Sequence, residues 1–328
     1  MPLLHVANGH STTALIRRAG LEGDLSIWAD VLHEGPVPGA ISYEALRDVR
    51  AAYLAEAFAG ETYEKTAAEL RSWEKALMRR EPNEEIVLWF EHDLFDQLNL
   101  IQLLDRLAAR ESVSLICIGT FPGKPGFKGL GELTPGELAS LWESRRPVTE
   151  SQYALARRTW PAFRASTPQP LESLLSEDLS ALPFLGSALR RHLEEFPWVD
   201  HGLSRTEARL LAIAGESPVE IRKAFSMVHE GETCFYLGDL SFWRIVRELA
   251  RCSLVQIQTD KDVSDFVAGG PVLPLGTIAT TTRGLAVLEN RMDRIKDSGI
   301  DRWLGGIHLT GRGPTWRWDH QNCYVVWR

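Results

Sequence analysis

IVLWFEHDLFDQ, residues 86–97, joins an all-apolar run to a cluster of ionisable side chains. Five consecutive apolar residues at 86–90 are typical of a strand that is buried on both faces of a parallel sheet. From Leu94 to about residue 110 the apolar residues recur at the helical period, so the stretch predicts a strand that leads into a helix. Ligands of open α/β sheets bind at the carboxyl ends of such strands, and we therefore expect a functional site around residues 91–96.

Three more short apolar runs in the first 132 residues are followed by turns or loops. Residues 3–6 precede a turn and a helical segment, residues 25–28 end in a loop rich in Gly and Pro, and residues 113–118 lead into a Gly-rich loop. Strands that alternate with helices at this spacing are typical of α/β proteins. The sequence thus predicts an α/β fold with a Rossmann-like, mostly parallel sheet over residues 1–132.

The rest of the chain divides into two parts. Between residues 133 and 200 the apolar pattern is helical and interrupted by prolines, which predicts a helical connector. From residue 201 three helices are followed by two extended segments around a polar excursion at residues 260–274, and then by a further helix. This is the order of elements in a winged helix. We expect a winged-helix-like domain over residues 201–328 that ends in a tryptophan-rich hairpin.

Composition and charge narrow the classes of protein that the chain can belong to. Its 328 residues carry a net charge of −8, which argues against nucleic-acid binding through the overall field, because phosphate binding needs a basic face. The four cysteines form no CxxC pair, so neither a disulfide framework nor a thiolate zinc site is indicated. With no signal-peptide pattern and no apolar run as long as a membrane span, a cytoplasmic protein with no membrane partner is expected.

Polar side chains follow each of the first three predicted strands. The candidate catalytic residues are the ionisable side chains after the second and third strands: His33, Glu34, His92, Asp93 and Asp96. The candidate ligand-binding residues lie within or just after the first strand and directly after the third strand. They are His5, Asn8, Gly9, His10, Ser11 and Glu91. Because the carboxyl ends of parallel strands meet at one edge of a sheet, we expect these side chains to converge on one pocket.

Imidazoles and carboxylates in one pocket support general acid/base catalysis or a site for a hard metal ion. His92 and Asp93 would act as base and orienting partner, or as metal ligands. The sequence identifies no cofactor, and a divalent metal is compatible with His92, Asp93 and His33 as candidate ligands. Asp93 also fits a helix N-cap, and Asp96 a first-turn acid that stabilises the helix dipole, with no functional role for either.

The turn at residues 8–13 places a glycine and several hydroxyls at a helix N-terminus, an arrangement that suits phosphate or carboxylate. An ordinary N-cap role for Ser11 or Thr12 explains the same residues equally well. Neither GxxxxGK[ST] nor GxGxxG occurs, so a nucleoside triphosphate or dinucleotide fingerprint is missing. Lys124 and Lys128 in the Gly-rich loop could bind an anion, although a solvated loop is the favoured interpretation.

The third helix of the predicted winged helix carries Arg244, Arg247 and Arg251 at positions i, i+3 and i+7. A basic stripe on that helix is what contact with the major groove would need. The residues from 201 onward are close to electrically neutral, which weakens the case for nucleic acid. A structural or partner-docking winged helix is therefore favoured.

Several segments resemble a known bacterial family. They are HVANGHS at 5–11, VLHEGPVP at 31–38, LWFEHDLFDQL at 88–98, RWLGGIHL at 302–309 and WRWD at 316–319. They are similar to the family catalogued as domain of unknown function 1835 and to the tail of its full-length members. The resemblance implies an α/β domain and no particular activity. The family more often has Asp in place of His10, an exchange that a metal site tolerates because both side chains ligate metals.

These observations support two hypotheses about function, one for an enzyme and one for a regulator or interaction module. The leading one is an enzyme, a hydrolase or transferase, that binds a small phosphorylated or carboxylated ligand and uses acid/base or metal-assisted chemistry. The alternative is a ligand-sensing transcriptional regulator or protein-interaction module that uses the winged helix. The enzyme hypothesis expects His5, His33, His92 and Asp93 in one cleft. The regulator hypothesis expects the arginine stripe to face solvent.

Overall fold

The structure is a computed structural model that describes residues 2–58, 60–79, 84–107, 112–259 and 273–328. The polar excursion predicted at residues 260–274 lies almost entirely outside the described residues, and so does the end of the helix predicted to reach residue 110. The described residues form a mixed α/β fold with a five-stranded, mostly parallel sheet. The prediction of an α/β fold with a mostly parallel sheet is therefore confirmed.

Strands and helices alternate along the first part of the chain. The strands of the main sheet are β1 (Leu3–Ala7), β2 (Asp24–Ile27), β3 (Glu85–Glu91), β4 (Val113–Ile118) and β5 (Arg146–Pro147). The helices of this part are α1 (His10–Arg18), α2 (Tyr43–Ala57), α3 (Tyr63–Met78) and α4 (Leu94–Leu107). A short 3-10 turn at Leu130–Glu132 follows the Gly-rich loop after β4.

The sheet has the order β2-β1-β3-β4-β5, in which β1, β2, β3 and β4 are parallel and β5 is an antiparallel edge strand. Val6 of β1 lies opposite Leu88 of β3, and Leu88 lies opposite Leu115 of β4. From β1 the chain moves outward to β2 and then returns to the opposite side as β3. The strand order thus reverses between β1 and β3, and in open α/β sheets this is where a crevice forms at the carboxyl edge.

Strand β3 is buried on both of its faces, as its apolar run predicts. Residues 86–90 are at most 1% exposed. Val87 and Trp89 pack on the side covered by α1, whereas Leu88 and Phe90 pack on the side covered by α4. Helices thus cover both faces, and this explains why the strand is continuously apolar rather than alternating.

Residues 133–200 contain four helices among the described elements, and they also supply β5. These helices are α5 (Pro135–Ser140), α6 (Glu150–Phe163), α7 (Gln169–Leu174) and α8 (Leu185–Leu193), with a 3-10 turn at Trp142–Ser144 before β5. Val148 N donates to Val113 O at 2.8 Å, just beyond the two-residue pairing of β5 with β4. A strand this short carries no periodicity, so the sequence pattern did not reveal it.

The last part of the chain contains helices and small antiparallel sheets. Its elements are α9 (Arg205–Glu216), β6 (Val219–Glu220), α10 (Ile221–Val228), α11 (Asp239–Arg251), β7 (Val255–Thr259), β8 (Gly276–Thr280), α12 (Thr282–Leu288), α13 (Arg294–Ser298), β9 (Ile300–Leu304), β10 (Ile307–Gly311), β11 (Trp316–Asp319) and β12 (Tyr324–Trp327). One sheet has the order β6-β8-β7, and β9-β10 and β11-β12 each form a hairpin. Two hairpins therefore replace the single terminal hairpin that we expected. Gly305 forms the turn of the first with a φ of 59°, a conformation that favours glycine.

The last part of the chain packs directly on the carboxyl edge of the main sheet. Leu94 N, at the start of α4, donates to Cys234 O at 2.7 Å. Val37 N, in the loop after β2, donates to Gly305 O at 2.9 Å. Side chains from the carboxyl-terminal part can therefore border any site at this edge. None of the helices described is both long and apolar enough to cross a lipid bilayer.

Candidate functional site

Three buried carboxylates meet where β3 ends and α4 begins. Glu91 is the last residue of β3, Asp93 precedes α4, and Asp96 lies in the first turn of α4. Their exposed fractions are 6%, 7% and 1%. One carboxylate oxygen from each lies within 4.8 Å of those of the other two. We call these three residues the carboxylate cluster.

Each carboxylate of the cluster is fixed through one oxygen. Leu130 N donates to Glu91 Oε1 at 2.6 Å, and Asp96 N donates to Asp93 Oδ1 at 2.8 Å. Asn8 Nδ2, at the tip of β1, donates to Asp96 Oδ2 at 2.9 Å. Asp96 Oδ1 is buried and accepts no hydrogen bond from an N–H or O–H donor among the described residues, while the carboxyl groups of Asp96 and Glu91 interact directly with each other. Asp93 therefore caps α4, as one interpretation of the sequence predicted, and it belongs to the cluster as well.

Burial raises the pKa of every carboxyl group in the cluster. It raises the pKa of Asp93 to about 7, with repulsion from Glu91 adding to the effect. Burial, followed by repulsion from Glu91 and Asp93, raises the pKa of Asp96 well above its usual value. The pKa of Glu91 is also raised by burial, although the bond from the Leu130 amide opposes this. The cluster therefore favours either a bound proton or a bound cation over three bare negative charges.

Gly129 permits the close approach of the Gly-rich loop to the cluster. A Cβ atom at position 129 would lie 2.3 Å from Glu91 Oε2, so any side chain there would displace the carboxylate. The next residue, Leu130, supplies the amide that holds Glu91 Oε1. Sequence reasoning missed both residues. The repeated glycines at 126, 129 and 131 were the available signal, and they indicate a backbone that passes close to another group.

The N-terminus of α1 opens into a pocket beside the cluster. The pocket has a volume of about 370 Å³ and is lined by Asn8, Gly9, His10, Ser11, Thr12, Glu91, Lys128, Gly129, Gly131 and Glu132. The N-cap of α1 is Gly9, and no side chain caps the helix, so Ser11 and Thr12 are not N-caps. Thr12 instead donates through Oγ1 to Asn8 Oδ1 at 2.8 Å. The first amides of α1 thus remain available to an anion in this pocket.

His92 lines a second and larger cleft. This cleft, of about 850 Å³, lies between the Gly-rich loop and residues 226–236, and Lys128 lines both cavities. The His92 ring lies 6.0 Å from that of Phe184 and 6.1 Å from that of Tyr236. Burial lowers the pKa of His92, although the backbone at Thr233 and Ile118 partly opposes this. His92 is therefore a neutral imidazole that lies next to the cluster in sequence but faces a separate cavity.

His5 does not reach the pocket, and we withdraw it as a ligand-binding residue. It lies within β1 and is fully buried. Its Nε2 is bonded to Glu22 O at 3.0 Å, and its Nδ1 accepts from Trp89 Nε1 at 3.1 Å. His5 is the third of the five residues of β1, so its side chain points to a helix-covered face and lies before the carboxyl edge of the strand. Both of its nitrogens already have structural partners.

His33 and Glu34 also lie apart from the cluster. Strand β2 ends at Ile27, so the chain runs on for several residues before it reaches them. His33 is 6% exposed and packs edge-on against Phe235, with ring centroids 5.2 Å apart. Glu34 accepts from Ser241 Oγ at 2.6 Å and forms an ion pair with Arg244. The expectation that the histidines share one cleft is therefore wrong, and the roles assigned to His33 and Glu34 are not supported.

The structure thus brings together only part of the predicted site. Glu91, Asp93 and Asp96 come together with Asn8, Gly9, His10 and Ser11 around one pocket. In the part of the chain that the structure describes, the group able to hold a metal ion contains carboxylates alone. Of the three predicted metal ligands, only Asp93 belongs to it.

No protein-family model matches the chain, and no curated protein matches it. The resemblance to the domain of unknown function 1835 family therefore stays a prediction.

Proposed function

We propose that this chain is an enzyme that binds a divalent metal ion at the carboxylate cluster and a small phosphorylated or carboxylated substrate beside it. The observation that carries this proposal is the buried Asp96 Oδ1, which accepts from no donor among the described residues and lies within a set of three carboxylates. A buried polar atom without a partner costs free energy unless a ligand or ion satisfies it. The remaining geometry supports a metal ion as that partner.

Charge balance favours a cation over a structural role for the cluster. No arginine or lysine in the described ranges forms an ion pair with Glu91, Asp93 or Asp96. Oxygen ligands of this kind suit Mg²⁺, Mn²⁺ and Ca²⁺, whose bonds to oxygen measure about 2.0 to 2.6 Å. Two oxygens on one such ion lie at most about 5 Å apart. The spacing within 4.8 Å in the cluster is compatible with that limit.

The neighbouring pocket supports an anionic substrate. The N-terminal residues of α1 and the exposed Lys128 line it together with Glu91. An anion there would lie between the positive end of a helix dipole and a metal ion. A metal ion in such a position polarises a phosphoryl or carbonyl oxygen and lowers the pKa of bound water. This chemistry is that of a metal-dependent hydrolase or transferase.

The strand order supports a Rossmann-like architecture for the proposed enzyme. The reversal between β1 and β3 places the pocket where doubly wound α/β proteins bind ligands. His92 would serve this enzyme from the adjoining cleft, as a neutral imidazole that contacts the part of the substrate farther from the metal. His33 has no part in this proposal, because it packs edge-on against Phe235 and does not line the pocket.

Metal titration of the purified protein tests the proposal. We expect wild type to bind Mn²⁺ or Mg²⁺ with one site per chain in calorimetry, and Asp96→Asn to lose at least tenfold in affinity. Glu132→Gln is the matched control, since Glu132 lines the same pocket but lies outside the cluster. The proposal fails if wild type binds none of these ions, or if Asp96→Asn and Glu132→Gln behave alike.

A second candidate function rests on the order α9, β6, α10, α11, β7, β8 with the sheet β6-β8-β7. This order supports a winged helix in which α11 is the third helix. The ion pair between Arg244 and Glu34, however, docks α11 on the α/β part and leaves the Arg244 side chain only 36% exposed. We therefore favour a docking role over major-groove contact. Duplex DNA binding by wild type that Arg244→Gln abolishes would reverse this preference.

A further inference from the structure

A groove remote from the carboxylate cluster separates α2, α11 and the hairpin β9-β10. It has a volume of about 990 Å³, within the range of pockets that hold small organic ligands. Its walls carry three carboxylates, Glu56, Glu248 and Asp301, and also four arginines and three aromatic or imidazole rings: Arg244, Arg247, Arg251, Arg302, Tyr53, Trp303 and His308. The proposed enzyme does not use this groove, and the docking of α11 uses only Arg244 among its arginines.

The four arginines fall into two pairs of different character. Arg244 is bonded to Glu34, and Arg302 is bonded to Glu207, so carboxylates within the fold neutralise both. Arg247 and Arg251 are exposed, and no ion pair or side-chain hydrogen bond of either one is found in the described parts of the chain. They lie one helical turn apart on α11, where like charges repel each other. Two unpaired guanidinium groups at this spacing form a site for a multivalent anion.

The hairpin contributes a stacked ring platform to the same groove. His308 and Trp303 face each other across β9 and β10, with ring centroids 4.3 Å apart and planes inclined by 8°. Asp301 bonds to His308 Nε2 at 2.7 Å and thereby fixes the orientation of the imidazole. The side chain of His308 remains 38% exposed, and a partly exposed ring that is already stacked on one face suits stacking by a further planar ring.

We propose that this groove binds nucleotides, with phosphate groups on Arg247 and Arg251 and a base stacked on His308. Guanidinium groups beside ring platforms are the means by which proteins hold single-stranded nucleic acid. Free nucleotides and short single strands share this chemistry. A duplex does not fit it, because major-groove recognition needs a helix that protrudes from the protein, whereas Arg247 and Arg251 line a concave wall.

Fluorescence anisotropy with the full-length protein tests this inference. A labelled single-stranded 12-nucleotide probe is titrated with wild type, and unlabelled mononucleotide, single strand and duplex of the same sequence serve as competitors. Arg247→Gln/Arg251→Gln should weaken binding at least tenfold and flatten the salt dependence, with a slope about 1.4 smaller for two lost phosphate contacts. Arg17→Gln/Arg18→Gln is the control, because it removes two exposed arginines from the last turn of α1.

The competition results distinguish the two kinds of ligand from each other. Competition by mononucleotide identifies a free nucleotide as the ligand, and competition by single strand alone identifies an oligonucleotide. His308→Ala, an exposed substitution, should lower affinity severalfold without changing the salt slope. The inference is overturned if neither ligand binds, if the duplex competes best, or if the double variant of α11 binds like the α1 control. Loss of metal binding at Asp96 would leave these results unchanged, so the two proposals fail independently.

Discussion

Asn8 Nδ2 donates a hydrogen bond of 2.9 Å to Asp96 Oδ2 across 88 residues of sequence. The bond joins the tip of β1 to the first turn of α4, on the two sides of the point where the strand order reverses. Thr12 Oγ1 holds Asn8 in the orientation that presents Nδ2 to the carboxylate. One oxygen of Asp96 is thereby fixed, and the other accepts from no donor in the described part of the fold.

Asn8→Ala should weaken metal binding about 10- to 100-fold, the usual effect of losing a residue that orients a metal ligand. The reason is that Asp96 loses the donor that fixes its carboxylate. Calorimetric titration with Mn²⁺ measures the change. Asn322→Ala is the control, because Asn322 Nδ2 makes a similar bond of 3.1 Å to Asp319 at a distant hairpin. Equal affinities for the two variants would contradict the proposed role of Asn8.

Gly129→Ala should displace the Glu91 side chain, because the added Cβ would lie 2.3 Å from Oε2. We expect a loss of about 1 to 3 kcal/mol in the free energy of unfolding, as for other overpacked sites, together with weaker metal binding. Chemical denaturation measures the first effect and calorimetry the second. Gly136→Ala is the control, since a Cβ there meets nothing within 4 Å. A Gly129→Ala protein as stable as this control would show that the loop does not need glycine.

We expect the free energy of unfolding of wild type to fall relative to that of Asp96→Asn as the pH rises from 5 to 8 in the presence of a chelator. The folded-state pKa of Asp96 is raised by burial, so the folded wild type holds this proton more tightly than the unfolded chain does. Its stability therefore falls as the pH rises through the interval between the two values, by about 1.4 kcal/mol for each pKa unit. The asparagine side chain does not titrate.

The comparison is made by urea unfolding at each pH. Histidines with lowered pKa values, such as His33 and His92, change the stability of both proteins equally and cancel in the difference. Excess Mn²⁺ should restore the advantage of wild type at pH 8. A difference between the two proteins that does not vary with pH would contradict the burial of an ionisable group at Asp96.

Glu207→Gln should be less stable than wild type by about 3 kcal/mol at pH 7, because it leaves the largely buried Arg302 with Glu248 as its one ion-pair partner among the described residues. Burial alone would raise the pKa of Glu207, but Arg302 and Arg294 outweigh it and hold the value at about 2. The stabilisation is therefore complete above the unfolded pKa near 4.3 and is lost as the pH falls toward 2.

Denaturation should show the same difference in free energy of unfolding between wild type and Glu207→Gln at pH 7 and pH 5. The difference should be smaller at pH 3. Glu289→Gln, which removes an exposed ion pair with Arg291, should cost less than about 1 kcal/mol throughout. A Glu207→Gln effect as small as that of Glu289→Gln would show that the buried pair contributes little.

The sequence predicted those features of the fold that depend on local pattern. The apolar run at 86–90 required a strand covered on both faces, and the helical period after Leu94 required α4. The expected pocket formed where β1 and β3 are neighbours, because Asn8 follows one strand directly and Glu91 ends the other. A position next to the carboxyl end of a strand was therefore the sequence feature that correctly predicted which residues meet at the pocket.

The remaining site residues depend on distant contacts that no local pattern contains. Glu34 pairs with Arg244, which lies 210 residues away in the chain, so its structural role could not be inferred from its neighbours. His5 lies in the middle of β1, before the carboxyl edge of the sheet. Its polar character alone does not reveal this position. The contribution of Gly129 depends on how closely the loop approaches Glu91, which is a property of the folded chain.

Anomalous diffraction from crystals grown or soaked with Mn²⁺ shows whether the carboxylate cluster binds a metal ion. We expect one strong anomalous peak at about 2.0 to 2.6 Å from oxygens of Glu91 and Asp96, next to Asn8 and the N-terminus of α1. The peak should be lost in Asp96→Asn. A cluster that stays free of manganese while retaining the bond from Asn8 to Asp96 would contradict the proposed metal site and leave a shared proton as the partner of Asp96 Oδ1.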